Sequence, residues 1–184
     1  PEHIRKGYDK AISRLSEDLY SKKIHFVFEL IQNAEDNEYS KDLVRKLRFE
    51  LLDYDPTNTS GCDGCLAIFN NEKGFELENI KAISTIGDST KANLKDLGYI
   101  GEKGIGFKSV FAVTPSPHIY SNGYQVCFKE KDSVTKLGYI IPYWVDEVPS
   151  IVSQNSVDFN TCILLPLKAN LDGLKDQIET ELMQ

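Results

Sequence analysis

The sequence predicts an α/β two-layer sandwich, a mostly antiparallel mixed sheet with helices on one face. Two observations predict it. Apolar residues recur at helical spacing in the opening stretch, and strand-like runs follow, the first of them alternating. Between them lies "GYIGEKGIGFKSVF", where Gly98, Gly101, Gly104 and Gly106 crowd into nine positions and then give way to an apolar run.

Each element follows from its residues. Around Tyr8 to Tyr20, Ile12, Leu15 and Leu19 form an apolar stripe, so the segment is a helix. "KKIHFVFELIQNAEDNEY" is apolar nearly all round from Ile24 to Ile31, which predicts a helix buried between layers. "KLRFELLDY" and "CLAIFNN" read as strands, and the turn-rich "DPTNTSGCDG" between them makes a hairpin. "ELENIKAIS" is a short helix, "GDSTKANLKDLGYIGEKGIG" a long loop and "FKSVFAV" a helix. Strands follow at "HIYS", "YQVCFKE", "LGYIIPYWV" and "NTCILLPLK", and "LDGLKDQIETELMQ" closes as a charged amphipathic helix.

Composition bounds the function. At 184 residues the chain is one domain, 1–184, read as excised from a longer protein because it opens on Pro1 and stops at Gln184. A net charge of -7 disfavours a nucleic-acid clamp, and no apolar run is long enough to span a membrane. Cys62 and Cys65 form a lone C-x-x-C without a second ligand pair, so a structural role outweighs a metal site. Cys127 and Cys162 lie in apolar runs as core thiols, which fits a reducing intracellular compartment, nuclear or cytoplasmic.

Chemistry gathers in two places. Glu29, Asn33 and Asp36 stand at i, i+4 and i+7, within one wedge of a helix whose neighbours are apolar. Oxygen donors in that array suit a hard cation such as Mg²⁺, with the carboxylate one turn earlier free to orient or deprotonate water. A helix end that merely caps and solvates is the alternative reading. The glycine segment offers bare N–H groups to phosphate at the start of a helix. It is not a P-loop, because Phe107 separates Gly106 from Lys108 and no buried strand precedes it. The Rossmann order G-x-G-x-x-G is absent too.

The order "ELIQNAEDN", "NNEKGF", "STK", "GYIGEKGIGFKSVF", "NTCILLPL" resembles the GHKL ATPase superfamily of gyrase, the large heat-shock chaperone, histidine kinases and MutL. Within it the wording is most similar to the N-terminal ATP-binding domain of NO VEIN and sacsin-like proteins. The resemblance runs from about Glu29 to Leu167 and implies a Bergerat-type fold that binds ATP with Mg²⁺ and hydrolyses it slowly.

By that resemblance Glu29 is the general base and Asn33 the Mg²⁺ ligand, while Asp36 and Asn37 support the metal and contact nucleotide. Gly74 lies beneath the adenine. Gly101, Gly104 and Gly106 form the ATP lid, Phe107 stands beside the nucleotide and Thr161 completes the adenine pocket. The family's adenine-reading aspartate falls on Asn70 and its first glycine on Glu72, with Asn71 the reader if the register shifts by one. Lys91 and Lys103 are candidate phosphate contacts or, equally, solvated lysines. The partners implied are ATP and ADP, further domains of the same longer chain (one of which supplies a completing Lys or Arg in several members) and a second copy joined through the first helix when nucleotide is bound. Packing of that helix on its own sheet is the favoured role. A nucleotide-gated interaction module with little turnover is the rival function. A histidine kinase ranks behind both, since "GFKSVF" lacks that branch's wording.

Overall fold

The computed structural model describes residues 25–84, 106–135, 137–169 and 174–182. The first helix, and the loop positions Lys91, Gly98, Gly101, Lys103 and Gly104, lie outside them.

Helix α1 runs His25–Asp36 and is followed by strands β1 (Leu47–Leu52) and β2 (Cys62–Asn70), then helix α2 (Leu77–Ser84). A 3-10 turn, Lys108–Ala112, leads into β3 (His118–Ser121), β4 (Tyr124–Cys127) and β5 (Tyr143–Trp144). Helix α3 (Ser150–Asn155), strand β6 (Thr161–Lys168) and helix α4 (Leu174–Leu182) complete the order.

The strands form one sheet in the order β1-β2-β6-β3-β4-β5. The recorded pairings are all antiparallel, so the mixed character expected of the sheet is absent among the described residues. The hairpin of β1 and β2 forms as the sequence requires, with Leu47 opposite Asn70 and Leu52 opposite Cys65. Its connection is tied by Asp55, whose carboxylate accepts from Thr57 N at 2.9 Å and Thr59 N at 2.6 Å. Asn122 and Gly123, at φ +47° and +84°, make the tight turn between β3 and β4, since two successive positive φ values match the twist of the flanking strands.

Side chains alternate across the sheet with period two. Leu66 and Ile68 of β2, with Ile163, Leu165 and Leu167 of β6, pack toward α1, α2 and the 3-10 turn. Cys65, Ala67 and Phe69, with Cys162 and Leu164, pack on the opposite face. Asn70 and Thr161 sit opposite one another in the register, at the end of one strand and the start of the other. The period continues the helix-side row to both of them.

Three expectations need correction. Helix α1 is not sealed between layers, because Phe28 is 49% exposed and His25 is exposed as well. Only Tyr143–Trp144 of "LGYIIPYWV" pairs as strand; Pro142 lacks an N–H, and Tyr139 is held at φ +71° beside Gly138. Helix α3 was not expected, and it covers part of the second face through Ile151 and Val152. At six residues it is too short to show a helical period. The "FKSVFAV" segment is helical as expected, with Lys108–Ala112 wound as a 3-10 turn.

Candidate functional site

A cleft opens between α1 and the sheet, with about 630 Å³ of empty space counted out to its open mouth. Leu30 and Ala34 of α1, Ile68 and Ile163 of the sheet, Ile83 of α2 and Phe107 form its apolar walls. Its polar groups are Asn33, Asn37, Asn70, Glu72, Asn79 and Thr161. An apolar slot with a few convergent polar groups is what a small ligand with one flat face requires.

Helical spacing puts Asn33 and Asn37 one turn apart on the cleft side of α1, while Asp36 is exposed and does not line the cleft. Glu29, half-buried, meets the last residue of the glycine segment. A Cβ added to Gly106 would lie 2.6 Å from Glu29 Oε2 and 3.9 Å from Asn33 Nδ2. Backbone at Gly106 therefore lies so close to the Glu29 carboxylate that a side chain there would make the carboxylate shift, while Asn33 stands at ordinary contact distance. Phe107 follows, buried, with its ring edge-on to Phe128 at 6.5 Å. Thus Glu29, Asn33, Gly106 and Phe107 are brought together at one side of the cleft.

The floor is built from both ends of the sequence. Phe75 N donates to Ser121 Oγ at 2.8 Å, and Ser121 Oγ meets Thr161 Oγ1 at 2.5 Å. Thr161 Oγ1 in turn donates to Glu72 Oε1 at 2.8 Å. A carboxylate only accepts, so every hydroxyl in this chain points its proton toward Glu72. Thr161 is then left with a free lone pair and no proton for a ligand. Asn160 Nδ2 also fixes this turn by donating to Glu72 O at 2.6 Å.

Asn70 is 5% exposed and lines the cleft. Asn71 does not. Its Oδ1 accepts from Lys46 N at 2.7 Å and its Nδ2 donates to Val44 O at 2.8 Å, which pins the segment before β1. Asn71 is thereby engaged with the segment before β1 and away from the cleft. Gly74 does not line the cleft either; at φ +95° it packs against the β3–β4 turn. Lys91, Gly101, Lys103 and Gly104 lie outside the described residues. Sequence reasoning missed the cleft positions of Phe75 and Asn79, and met Glu72 only as a misplaced glycine. Its signal was a charge directly after an apolar strand.

Lys108 does not face the cleft opening but donates to Ile83 O at 2.6 Å, tying the 3-10 turn to α2. Burial pushes its ammonium down from the ordinary 10.5 to about 8. As pH falls from 10.5, the unfolded chain takes up this proton first and the folded chain only near 8, so the group erodes stability across that window. The stability difference between the unmodified chain and Lys108→Met is expected to move in favour of the unmodified chain between about pH 8 and about pH 10.5. Urea unfolding across that range measures it. A difference that stays constant would refute the buried-ammonium reading.

Burial also raises the thiols of Cys65, Cys127 and Cys162, the last to about 12, and half-buried Cys62 is raised by burial and by Asp55. All four are free, and among the described residues no three His, Cys, Asp or Glu side chains gather as a metal cage.

Sheet, helices and cleft define a two-layer α/β domain with a cleft between the sheet and α1. Comparison with known proteins then places it: a model of the sacsin domain matches residues 9–136, and the chain belongs to the sacsin-domain family. It is similar to the protein NO VEIN of Arabidopsis thaliana, with 40% identity over 178 residues, 91% of this chain. The chain spans 6% of the length of that relative. No helix among the described residues is long and apolar enough to cross a membrane.

Proposed function

We propose that the cleft binds ATP with Mg²⁺, and that the chain is a Bergerat-type GHKL domain that hydrolyses ATP slowly to drive conformational change in a larger protein. The observation that carries this reading is the close approach of Gly106 to the Glu29 carboxylate, with Asn33 beside it, at the side of an apolar cleft. A glycine segment meeting a carboxylate and a carboxamide beside a flat slot suits a ligand with a planar base at one end and phosphates at the other.

The donor set fits the cation. Asn33 offers a carboxamide oxygen, a hard donor but too little to cage an ion alone, and Glu29 one turn away is left to handle water. The phosphates of the nucleotide would supply the rest, which is how Mg²⁺ is usually held. When bound, the ion neutralises charge developing on the phosphate oxygens. The chain's own contribution is positioning. Phe107 and the isoleucines exclude water from the base, Asn33 orients the metal-bearing end, and Glu29 accepts the proton of the attacking water.

A nucleotide-gated module with little turnover is supported by one feature. Asn70 and Glu72 stand where the superfamily carries an aspartate and a glycine, so the floor is not that of its hydrolysing members. Calorimetric titration with ATP, ADP and GTP, with and without Mg²⁺, tests the primary reading. Mg²⁺-dependent ATP binding is expected, and heat indistinguishable from dilution with every nucleotide would overturn it. Single-turnover hydrolysis separates enzyme from module.

A further inference from the structure

We infer that Tyr39 is a positioning residue that turns the Asn70 carbonyl into the cleft and so makes the floor select a purine with an amine rather than an oxygen at its six-position. The inference rests on the nucleotide reading above.

Tyr39 follows α1, and its hydroxyl oxygen stands 2.7 Å from the Ala34 carbonyl and 2.9 Å from the Asn70 amide atom placed as Oδ1. A phenol has one proton. With Oδ1 of Asn70 toward Tyr39, two acceptors would compete for that proton, and one close oxygen pair would have no hydrogen between its atoms. The Ala34 carbonyl can only accept, and it is the nearer of the two, so the proton goes there. What faces the hydroxyl at Asn70 must then donate. The two ends of an asparagine amide are alike in shape, and only hydrogen bonding tells them apart. Nδ2 therefore faces Tyr39, and Oδ1 turns to the cleft that Asn70 lines.

The rest of the floor has the same polarity. Thr161 has given its proton to Glu72 and keeps only a lone pair, and Glu72 offers carboxylate oxygen. A base that reaches this floor meets acceptors at Asn70 and Thr161. The exocyclic amine of adenine donates to such a surface, whereas the O6 of guanine is an acceptor and is repelled. Selectivity is set by the asparagine because the tyrosine fixes which end of it points inward.

The experiment uses Tyr39→Phe. The ring, and the Arg45 guanidinium 4.8 Å above it, are retained while the hydroxyl is lost. Freed of its partner, the Asn70 amide can rotate and donate to guanine. The ratio of ATP to GTP affinity is expected to fall about 2- to 10-fold, the worth of one neutral hydrogen bond. Adding Asn70→Asp to Tyr39→Phe restores the ATP preference, because a carboxylate has no donor to turn inward. A merely structural tyrosine would lower both affinities together, and the aspartate would not rescue the ratio. In the unliganded chain, NMR cross-peaks from the Asn70 NH₂ protons to the Tyr39 ring are expected. Their absence, with those protons near Ile163 instead, overturns the orientation whatever nucleotides do. An unchanged ratio in a chain that binds ATP overturns the selectivity. If the unmodified chain binds neither nucleotide, the nucleotide reading and the selectivity fall together, while the cross-peaks still decide the amide's orientation.

Discussion

Glu29→Ala is expected to slow ATP hydrolysis by roughly 10²–10⁴-fold, the usual worth of a positioned general base, and to leave ATP affinity nearly intact. The carboxylate is half-buried on α1 and in contact with Gly106, not on the cleft floor where the base would sit. Its loss therefore removes a proton acceptor rather than a binding contact. Asn33→Ala behaves differently, weakening binding only when Mg²⁺ is present. Gly106→Ala supplies an independent check on the same geometry. Its new methyl would lie 2.6 Å from Glu29 Oε2, and the carboxylate is the end of a flexible side chain, so it yields at little cost to folding. A catalytic group displaced by about 1 Å loses on the order of 10²-fold in rate. Single-turnover assays with protein in excess over ATP read both variants. Turnover by Glu29→Ala at the unmodified rate would falsify the assignment of the base.

Gly74→Ala is expected to destabilise the domain by about 2–3 kcal/mol, because φ +95° is a backbone conformation that alanine rarely adopts. The added Cβ would also stand 2.8 Å from Asn122 Cβ and 3.4 Å from Ser121 Oγ. Asn122 cannot retreat, since it is in a two-residue turn and its Nδ2 donates to Phe75 O at 3.1 Å. For a chain of this length the cost corresponds to a fall in Tm of roughly 5–10 °C. Calorimetry measures it, and a change of less than about 1 °C would show that the turn gives way freely. The same strain pushes on Ser121, so the hydroxyl chain to Glu72 is disturbed even in molecules that stay folded.

Much of this was legible in the sequence. The hairpin of β1 and β2 announced itself through alternation and a turn-rich connection. The apolar run at "NTCILLPLK" marked β6 as a strand. Glu29 and Asn33 were legible because their spacing fixes a common helix face, and Gly106 because glycine density needs a reason. Tertiary detail was not. That Asp36 turns to solvent depends on where the helix meets the sheet, which spacing alone does not set. Asn71 and Asn70 are neighbours of one type, and only the pleat decides that one faces the cleft while the other pins the segment before β1. Glu72 and Tyr39 acquire their roles from partners 89 and 31 positions away. The asparagine-glycine pair at Asn122 and Gly123 was a readable hairpin signal that the sequence analysis passed over.

The strand order has a consequence for how the molecule is made. β1 with β2, and β3 with β4, are local hairpins that can pair as soon as they leave the ribosome. They are not neighbours in the sheet. β6 lies between β2 and β3 and bonds to both, yet it comes later in the chain than either hairpin. A chain halted before Thr161 holds two separate hairpins, no floor and no cleft. Synthesis thus exposes the apolar rows of β2 and β3 until the central strand arrives, and that interval is when the nascent protein most needs shielding from its neighbours.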